Sequence, residues 1–529
     1  MNLVTLLQQQ ARTRPDAAAL IEGRGRARRV TTFADLERRS QNAAARLRAA
    51  GLRPGQPVLI FQPMSAGLYV ALVAVFRLGA VAMFLDPSAG RAHLARCCTL
   101  SPPVALLASP RALWLRLISP SLRRIPRHFR LGGWAPWAPP LEISIPSVAQ
   151  TIVDVDSSAP ALLTFTSGST GEPKAAMRSH GFLIAQYQAL AESLALAPGQ
   201  IDLATLPIFV LANLAAGVTS VIPAADLRRP GAIKAEPVVE QLRAEGATRS
   251  AASPAFYERL LAEVGDEPRA LAPLSGIYTG GAPVFPRLLE RLSVSVASGG
   301  RAVAVYGSTE AEPIAHIAWD EISPADREAM RAGKGLLAGP PVPQIELRIV
   351  PDRWGTVLGP WSGAEFAHQW LPAGVGGEIV VSGDHVLPGY LGGRGDAETK
   401  FSVDDRRWHR TGDAGWLDAQ GRLWLLGRCA ARIEDRRGVL YPFAAECAAQ
   451  EVHGVRRAAL LAVGKERWLA IEAVPGGQPD PSALASITQA SDIDRTVVVR
   501  AIPVDARHNA KVDYPALRRL LGGRRPERK

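Results

Sequence analysis

Apolar residues recur along this chain in two ways, at every third or fourth position and in short unbroken runs. The changes between the two mark out its elements. Residues 3–14 carry the helical spacing. A second helix is predicted to open at Thr32, three positions before Asp35 in the manner of a capping box, and to run from there to Ala50, stopping at Gly51. Residues 57–61 read as a strand, 65–78 as an apolar helix and 81–85 as the next strand. Strand and helix alternating at this interval predict a doubly wound α/β layer. Residues 101–147, rich in proline, predict irregular structure. Beyond them a strand is expected over 161–165, a helix over 181–194 and a strand over 202–206, followed by a short buried apolar stretch to Pro223. Two further β-runs break into turns of small residues, one at Gly280-Gly281-Ala282-Pro283 and one at Tyr306-Gly307-Ser308-Thr309-Glu310. From Gly333 the pattern becomes strands and turns, at 346–350 and 377–382 among others, and after Arg428 the chain restarts as a small α+β unit.

Composition narrows the class. Of 529 residues, 47% are hydrophobic and 21% charged, as in an ordinary globular protein with room for more than one domain. None of the four cysteines forms a C-x-x-C pair, so neither a zinc site nor a disulfide framework is indicated and a reducing cytoplasm fits. The first sixteen residues show no apolar core behind a basic cap, so no secretory signal is expected. Residues 68–85 approach the length of a membrane span, but Arg77 interrupts them and a buried helix running into a strand is the better reading. The net charge is +12. Part of it is local: Arg111, Arg116, Arg123, Arg124, Arg127 and Arg130 share one segment with Trp114 and, just beyond, Trp134. Such a segment suits a solvated basic face, a membrane surface or an acidic partner. No nucleic-acid-binding signature accompanies it, so peripheral membrane contact through 111–130 is the functional expectation and nucleic acid is not.

The chemistry gathers at strand ends. The run over 161–165 delivers the chain into Thr166, Ser167, Gly168, Ser169, Thr170 and Gly171, then Glu172-Pro173-Lys174. Small residues let backbone N–H groups close around an anion, hydroxyls add donors, and Lys174 adds charge. The Walker spacing is absent, so this is a phosphate loop of another kind. In open α/β sheets ligands sit at the carboxyl ends of strands. The loop, the turn at Gly281 and the turn at Gly307 are therefore expected to serve one ligand.

These pieces, in this order and over nearly the whole chain, resemble the adenylate-forming superfamily of acyl-CoA synthetases, luciferases and adenylation domains. The resemblance implies an N-terminal adenylation domain over 1–429 and a mobile C-terminal domain over 430–529. It also implies roles, with ATP and Mg²⁺ as cofactors. Thr166 to Lys174 would hold the β- and γ-phosphates. Gly281, Ala282 and Pro283 would line adenine, on which Tyr306, followed by Gly307, would stack. Thr309 would touch the α-phosphate and Glu310 would hold Mg²⁺. Asp413, in Thr411-Gly412-Asp413, would take the ribose hydroxyls with Arg428 nearby, and Lys511 would reach in as the catalytic lysine. Attack of a carboxylate on the α-phosphorus gathers negative charge on phosphoryl oxygens, so cations and preorganised donors are the residue types it needs.

Some positions depart from the common pattern: Ala175 after Lys174, Ala430 at the hinge, Ala510 before Lys511, and a long segment over 319–377. At several of these places, and at 206–223, 306–314 and Arg507-His508-Asn509-Ala510-Lys511, the chain is similar to the olefin β-lactone synthetases of bacterial long-chain hydrocarbon synthesis. That resemblance implies adenylation of a long-chain 2-alkyl-3-hydroxy acid and displacement of AMP by its own 3-hydroxyl. It also implies neighbouring enzymes and an assembly with them. His180, Glu312 and His316 are candidate bases for the closure, and residues 206–217, with Phe209, are either an alkyl channel or core. A long-chain fatty acyl-CoA or acyl-AMP ligase is the alternative. A scaffold without catalysis is opposed by the intact Thr309, Glu310, Asp413 and Lys511.

Overall fold

A computed structural model describes residues 1–85, 90–143, 151–167, 173–265, 267–504 and 512–522, of which Thr166 and Ser167 are described in backbone only. Its contacts divide the chain into two units. The first comprises residues 1–224, 244–247 and 384–397, and the second comprises the remainder. Residues 430–529 fall within the second.

The first unit is built on parallel strands. Arg127–Arg130, Ala105–Ala108, Pro57–Phe61, Val81–Phe84 and Pro160–Ser167 follow one another in a parallel array, and Pro173–Ser179 closes the edge antiparallel. Ile201–Ala204, Thr219–Val221 and Ala18–Glu22 form a second parallel set, with Arg29–Thr32 antiparallel beyond. Helices join the strands, as the alternation required. Thr32 caps Phe33–Ala49 by accepting the Asp35 N–H at 3.1 Å, and Ser65 caps Ala66–Arg77 by accepting that of Leu68. Eleven of the twelve residues of Ala66–Arg77 are buried, because the helix lies inside the main core. Among the described residues no helix is long and apolar enough to cross a membrane. Within the expected irregular segment, residues 101–143 differ from expectation. They hold the strands Ala105–Ala108 and Arg127–Arg130 and three one-turn helices, Pro110–Leu113, Leu115–Ile118 and Pro120–Arg123. Strands of four residues between prolines carry too short a pattern to register.

The second unit opens with Arg249–Ala252, Gly276–Gly280 and Arg301–Ser308 in parallel and Ala311–Ala318 antiparallel. An antiparallel sheet follows, ordered Leu336–Gly339, Leu423–Arg428, Arg406–Leu417, Gly377–Ser382 and Glu346–Val350. The last part is a three-stranded sheet of Val455–Val463, Glu466–Ala473 and Arg495–Val499. Ala458 and Leu460 face one core, with the helices Pro442–Gln450 and Pro481–Ala490. Ala459 and Leu461 face another, with Tyr514–Gly522. In the middle of the first two strands both faces are buried, so they read there as continuous apolar runs, Ala458 to Leu461 and Trp468 to Ile471.

Candidate active site

Two neighbouring strand ends begin the site in the second unit. Gly276–Gly280 and Arg301–Ser308 run parallel with Gly280 opposite Val305, which sets their carboxyl ends side by side. Gly280 has to be glycine, since a Cβ there would stand 2.4 Å from the Val305 carbonyl oxygen. Gly281, exposed, and Ala282 and Pro283, half-buried, leave the first end. Half-buried Tyr306 and Gly307, exposed Thr309 and half-buried Glu310 leave the second. The turn is fixed in part by the Glu310 N–H, which is donated to Ser308 Oγ at 3.3 Å.

The antiparallel sheet brings the remaining partners. Asp413 on Arg406–Leu417 stands in register opposite Arg428 on Leu423–Arg428. Its Oδ1 lies 3.1 Å from Arg428 Nε, and its Oδ2 accepts the Tyr306 hydroxyl at 2.8 Å. The Asp413 N–H is donated to Thr411 Oγ1 at 3.0 Å, and that hydroxyl is donated to the Ile379 carbonyl at 3.0 Å. Tyr306, Asp413 and Arg428, distant in sequence, thus form one hydrogen-bonded set. Burial, and then the Asp413 charge, raise the Tyr306 phenol well above its ordinary range, so it stays a donor. The same carboxylate raises the Arg428 guanidinium.

Behind Asp413 lies a pair that the sequence reading passed over. Arg410 donates Nε and Nη2 to the two carboxylate oxygens of Glu378, each at 2.7 Å, and Nη1 to the Thr356 carbonyl at 2.5 Å. Both side chains are fully buried. The available signal was Glu378 standing directly before the apolar run Ile379-Val380-Val381, at the start of a strand expected to be buried, where a charge needs a partner.

The strands on either side of the expected phosphate loop belong to the first unit. Pro160–Ser167 and Pro173–Ser179 pair antiparallel, Thr166 opposite Lys174 and Ser167 opposite Pro173. Gly168, Ser169, Thr170 and Gly171 lie outside the described residues. Lys174 holds its Nζ 5.8 Å from the centre of the Tyr390 ring. Tyr390 is set in turn by its N–H, donated to Asp396 Oδ1 at 2.8 Å.

Lys511 also lies outside the described residues, but the chain on either side of it is anchored. Val504 and Val512 form an antiparallel bridge, and the Asp513 N–H is donated to the Pro503 carbonyl at 2.9 Å. The Tyr514 hydroxyl is donated to Glu446 Oε1 at 2.7 Å, an oxygen that also accepts the Leu460 N–H at 2.7 Å. Burial pushes the Glu446 carboxyl up to about 7 from its ordinary 4.5. The folded chain therefore holds a proton here between those values that the unfolded chain has released. Stability falls as pH rises through that window and levels off above it, by on the order of 3 kcal/mol for this group. Urea midpoints measured from pH 4.5 to pH 8 are expected to fall less steeply in Glu446→Gln than in the parent. Parallel slopes would show that Glu446 does not titrate in this way.

The remaining candidates separate. His180 is fully buried, its Nδ1 accepting the Leu3 N–H at 3.3 Å, and burial pushes it down to about 4. It is an interior residue of the first unit. Glu312 and His316 are half-buried on Ala311–Ala318, the strand paired with that of Tyr306. The apolar stretch after Leu206 is the helix Pro207–Ala216. Phe209 is buried there, Val210, Leu211, Leu214 and Ala215 lie in the main core, and Asn213 is bonded to Asp202 at 2.6 Å. These side chains are packed as core.

The chain is similar to known proteins along nearly its whole length. The family model described as AMP-binding enzyme matches residues 7–391. The olefin beta-lactone synthetase of Stenotrophomonas maltophilia (strain K279a) is 33% identical over 544 residues, spanning 97% of this chain and 96% of its own. That of Xanthomonas campestris pv. campestris is 31% identical over 551 residues, with the same coverage. Among solved structures, ATP-bound MatB from Rhodopseudomonas palustris matches with a TM-score of 0.78 at 20% identity, covering 99% of each chain, which is a likeness of fold. With its strand-end turns and the Tyr306–Asp413–Arg428 set in place, the chain belongs to the AMP-binding enzyme family, as an adenylate-forming ligase that uses ATP.

Proposed function

We propose that this enzyme adenylates a long-chain 2-alkyl-3-hydroxy acid and then closes the acid on its own 3-hydroxyl, releasing a β-lactone and AMP. The observation that carries this reading is the full-length likeness to two olefin beta-lactone synthetases. The residues present suit the nucleotide. In ATP the base and the ribose are joined directly, and Tyr306 and Asp413, the residues assigned to them, touch at 2.8 Å. Glu310 would hold Mg²⁺, which supplies neutralising charge at the phosphates. Mg²⁺ commonly takes one or two carboxylates and completes its shell with phosphate and water, so a single half-buried glutamate beside exposed Thr309 fits.

In the first step a carboxylate oxygen of the acid attacks the α-phosphorus, and the bond to the bridging oxygen of pyrophosphate breaks. Thr166 to Lys174 hold the departing phosphates, while Thr309 and Lys511 stabilise the α-phosphoryl oxygens. In the second step the 3-hydroxyl oxygen attacks the acyl carbon, the bond to AMP breaks, and the hydroxyl proton passes to a base, for which Glu312 and His316 are the candidates. The nucleophile is already tethered, and orientation of this kind is worth roughly 7–11 kcal/mol. Residues 430–529 act as the mobile domain that presents Lys511. The setting is cytoplasmic, with enzymes that make the hydroxy acid and consume the lactone as partners in an assembly.

The test is incubation with ATP, Mg²⁺ and a 2-alkyl-3-hydroxy acid in the absence of coenzyme A. Stoichiometric AMP, pyrophosphate and β-lactone are expected. Release of AMP that requires coenzyme A and proceeds with a simple fatty acid would instead make this an acyl-CoA ligase. The ribose assignment has its own test. Asp413→Ala is expected to raise the KM for ATP by about ten- to a hundredfold, the loss of hydrogen bonds to a charged acceptor. An unchanged KM would remove Asp413 from that role.

A further inference from the structure

The surface formed by residues 110–137 differs from the rest of the molecule. Five of the fourteen large apolar side chains exposed among the described residues lie on it: Trp114, Leu117, Ile118, Trp134 and Trp137, with Trp134 at 75% exposure. Their exposure is built in. Leu113, Leu122 and Ile125 peg the one-turn helices to the core, which leaves Trp114, Leu117 and Ile118 on the outside. The chain then turns at Gly132 and Gly133, both at positive φ, and Gly133 lies so close to Pro110 that a Cβ would stand 2.7 Å from its Cγ. That turn brings the second group to the first. Trp137 meets Trp114 edge to face at 4.4 Å, while Ala135 and Ala138 are buried beneath.

The charge is equally one-sided. Between Asp86 and Glu142 there is no acidic residue and there are eight arginines. Among the described residues none of the eight is paired with a carboxylate, and Arg111, Arg123 and Arg124 are exposed. A polyanion alone would match the arginines but leave Leu117, Ile118 and three indoles in water. An apolar partner alone would leave the arginines unmatched. An interface that is anionic at its surface and hydrocarbon just beneath matches both, and tryptophan favours that boundary.

We propose that this face docks on an anionic phospholipid bilayer, with the indoles, Leu117 and Ile118 among the headgroups and Arg111, Arg123 and Arg124 on the lipid phosphates. The contact does not depend on which acid the enzyme activates. The full-length protein is expected to co-sediment with mixed phosphatidylcholine–phosphatidylglycerol vesicles and to stay in solution with pure phosphatidylcholine. The double variant Arg123→Gln/Arg124→Gln should bind the mixed vesicles about thirtyfold more weakly, and Trp134→Ser about tenfold more weakly. Trp134→Phe should bind like the parent, with thermal unfolding unchanged in all three. A parent protein that ignores the mixed vesicles would overturn the proposal. So would a Trp134→Ser protein that binds as well as the parent while the arginine variant does not, since that pattern describes a polyanion contact without insertion.

Discussion

Replacing Lys511 by alanine is expected to lower the rate of acyl-adenylate formation by about a hundred- to a thousandfold and to leave ATP affinity within a few-fold. The reasoning is electrostatic. A unit charge 4 Å from a developing oxyanion is worth about 4 kcal/mol at an effective dielectric near 20, and it acts most where the charge has grown, in the transition state. On the proposed assignment, ATP in the ground state would be held mainly by other groups: the loop over 166–174, Tyr306 and Asp413. Single-turnover release of pyrophosphate measures the first quantity and equilibrium nucleotide titration the second. A Lys511→Ala enzyme that releases pyrophosphate at the parental rate would dismiss the assignment. The described residues on either side are anchored, Val504 pairing with Val512 and Tyr514 being bonded to buried Glu446.

Glu378→Gln is expected to cost about 3–5 kcal/mol of stability, the penalty for leaving one partner of a buried ion pair uncompensated. Arg410 would keep its charge, its full burial and its bonds to backbone carbonyls, but lose the only carboxylate it is bonded to among the described residues. Urea unfolding of the two proteins at neutral pH measures the difference, and coincident midpoints would defeat the expectation. Replacing both members together by apolar residues of similar volume should recover much of the loss, because desolvation offsets most of what the pair contributes. Arg410 lies three positions from Asp413 on the same strand, and Glu378 on the neighbouring one. A strand displaced by one residue would turn Arg410 to the other face, so the pair also fixes the register in which Asp413 meets Arg428.

Much of this arrangement was legible in the sequence, where residue chemistry is local. Thr32 announces its helix because a hydroxyl three residues ahead of an N–H is a complete cap in itself. The turns after Gly280 and Tyr306 are legible because a cluster of small residues directly after a β-run marks where the strand gives way to a turn. What escaped was non-local. Pro173–Ser179 reads as loop until Pro160–Ser167 is seen to pair with it. His180 reads as a candidate base until its burial against Leu3 is known. The contact of Lys174 with Tyr390 joins residues more than two hundred positions apart, and neither residue implies the other. The apolar stretch after Leu206 was left between core and channel by its composition, and packing assigns it to core.

Residues 384–397 belong to the first unit although most of the second precedes them in the chain. Leu387, wholly buried, and Tyr390, nearly so, complete the first unit's main core. During synthesis that core therefore stays unfinished until the greater part of the polypeptide has left the ribosome. A nascent chain stalled before Asp384 exposes the seat of both side chains and leaves Lys174 without its aromatic neighbour. Order of emergence and order of completion part company here, which lengthens the time for which apolar surface is open to chaperones. No single cut can release the first unit intact, because any fragment long enough to contain Tyr390 also carries the strands of Tyr306 and Glu378.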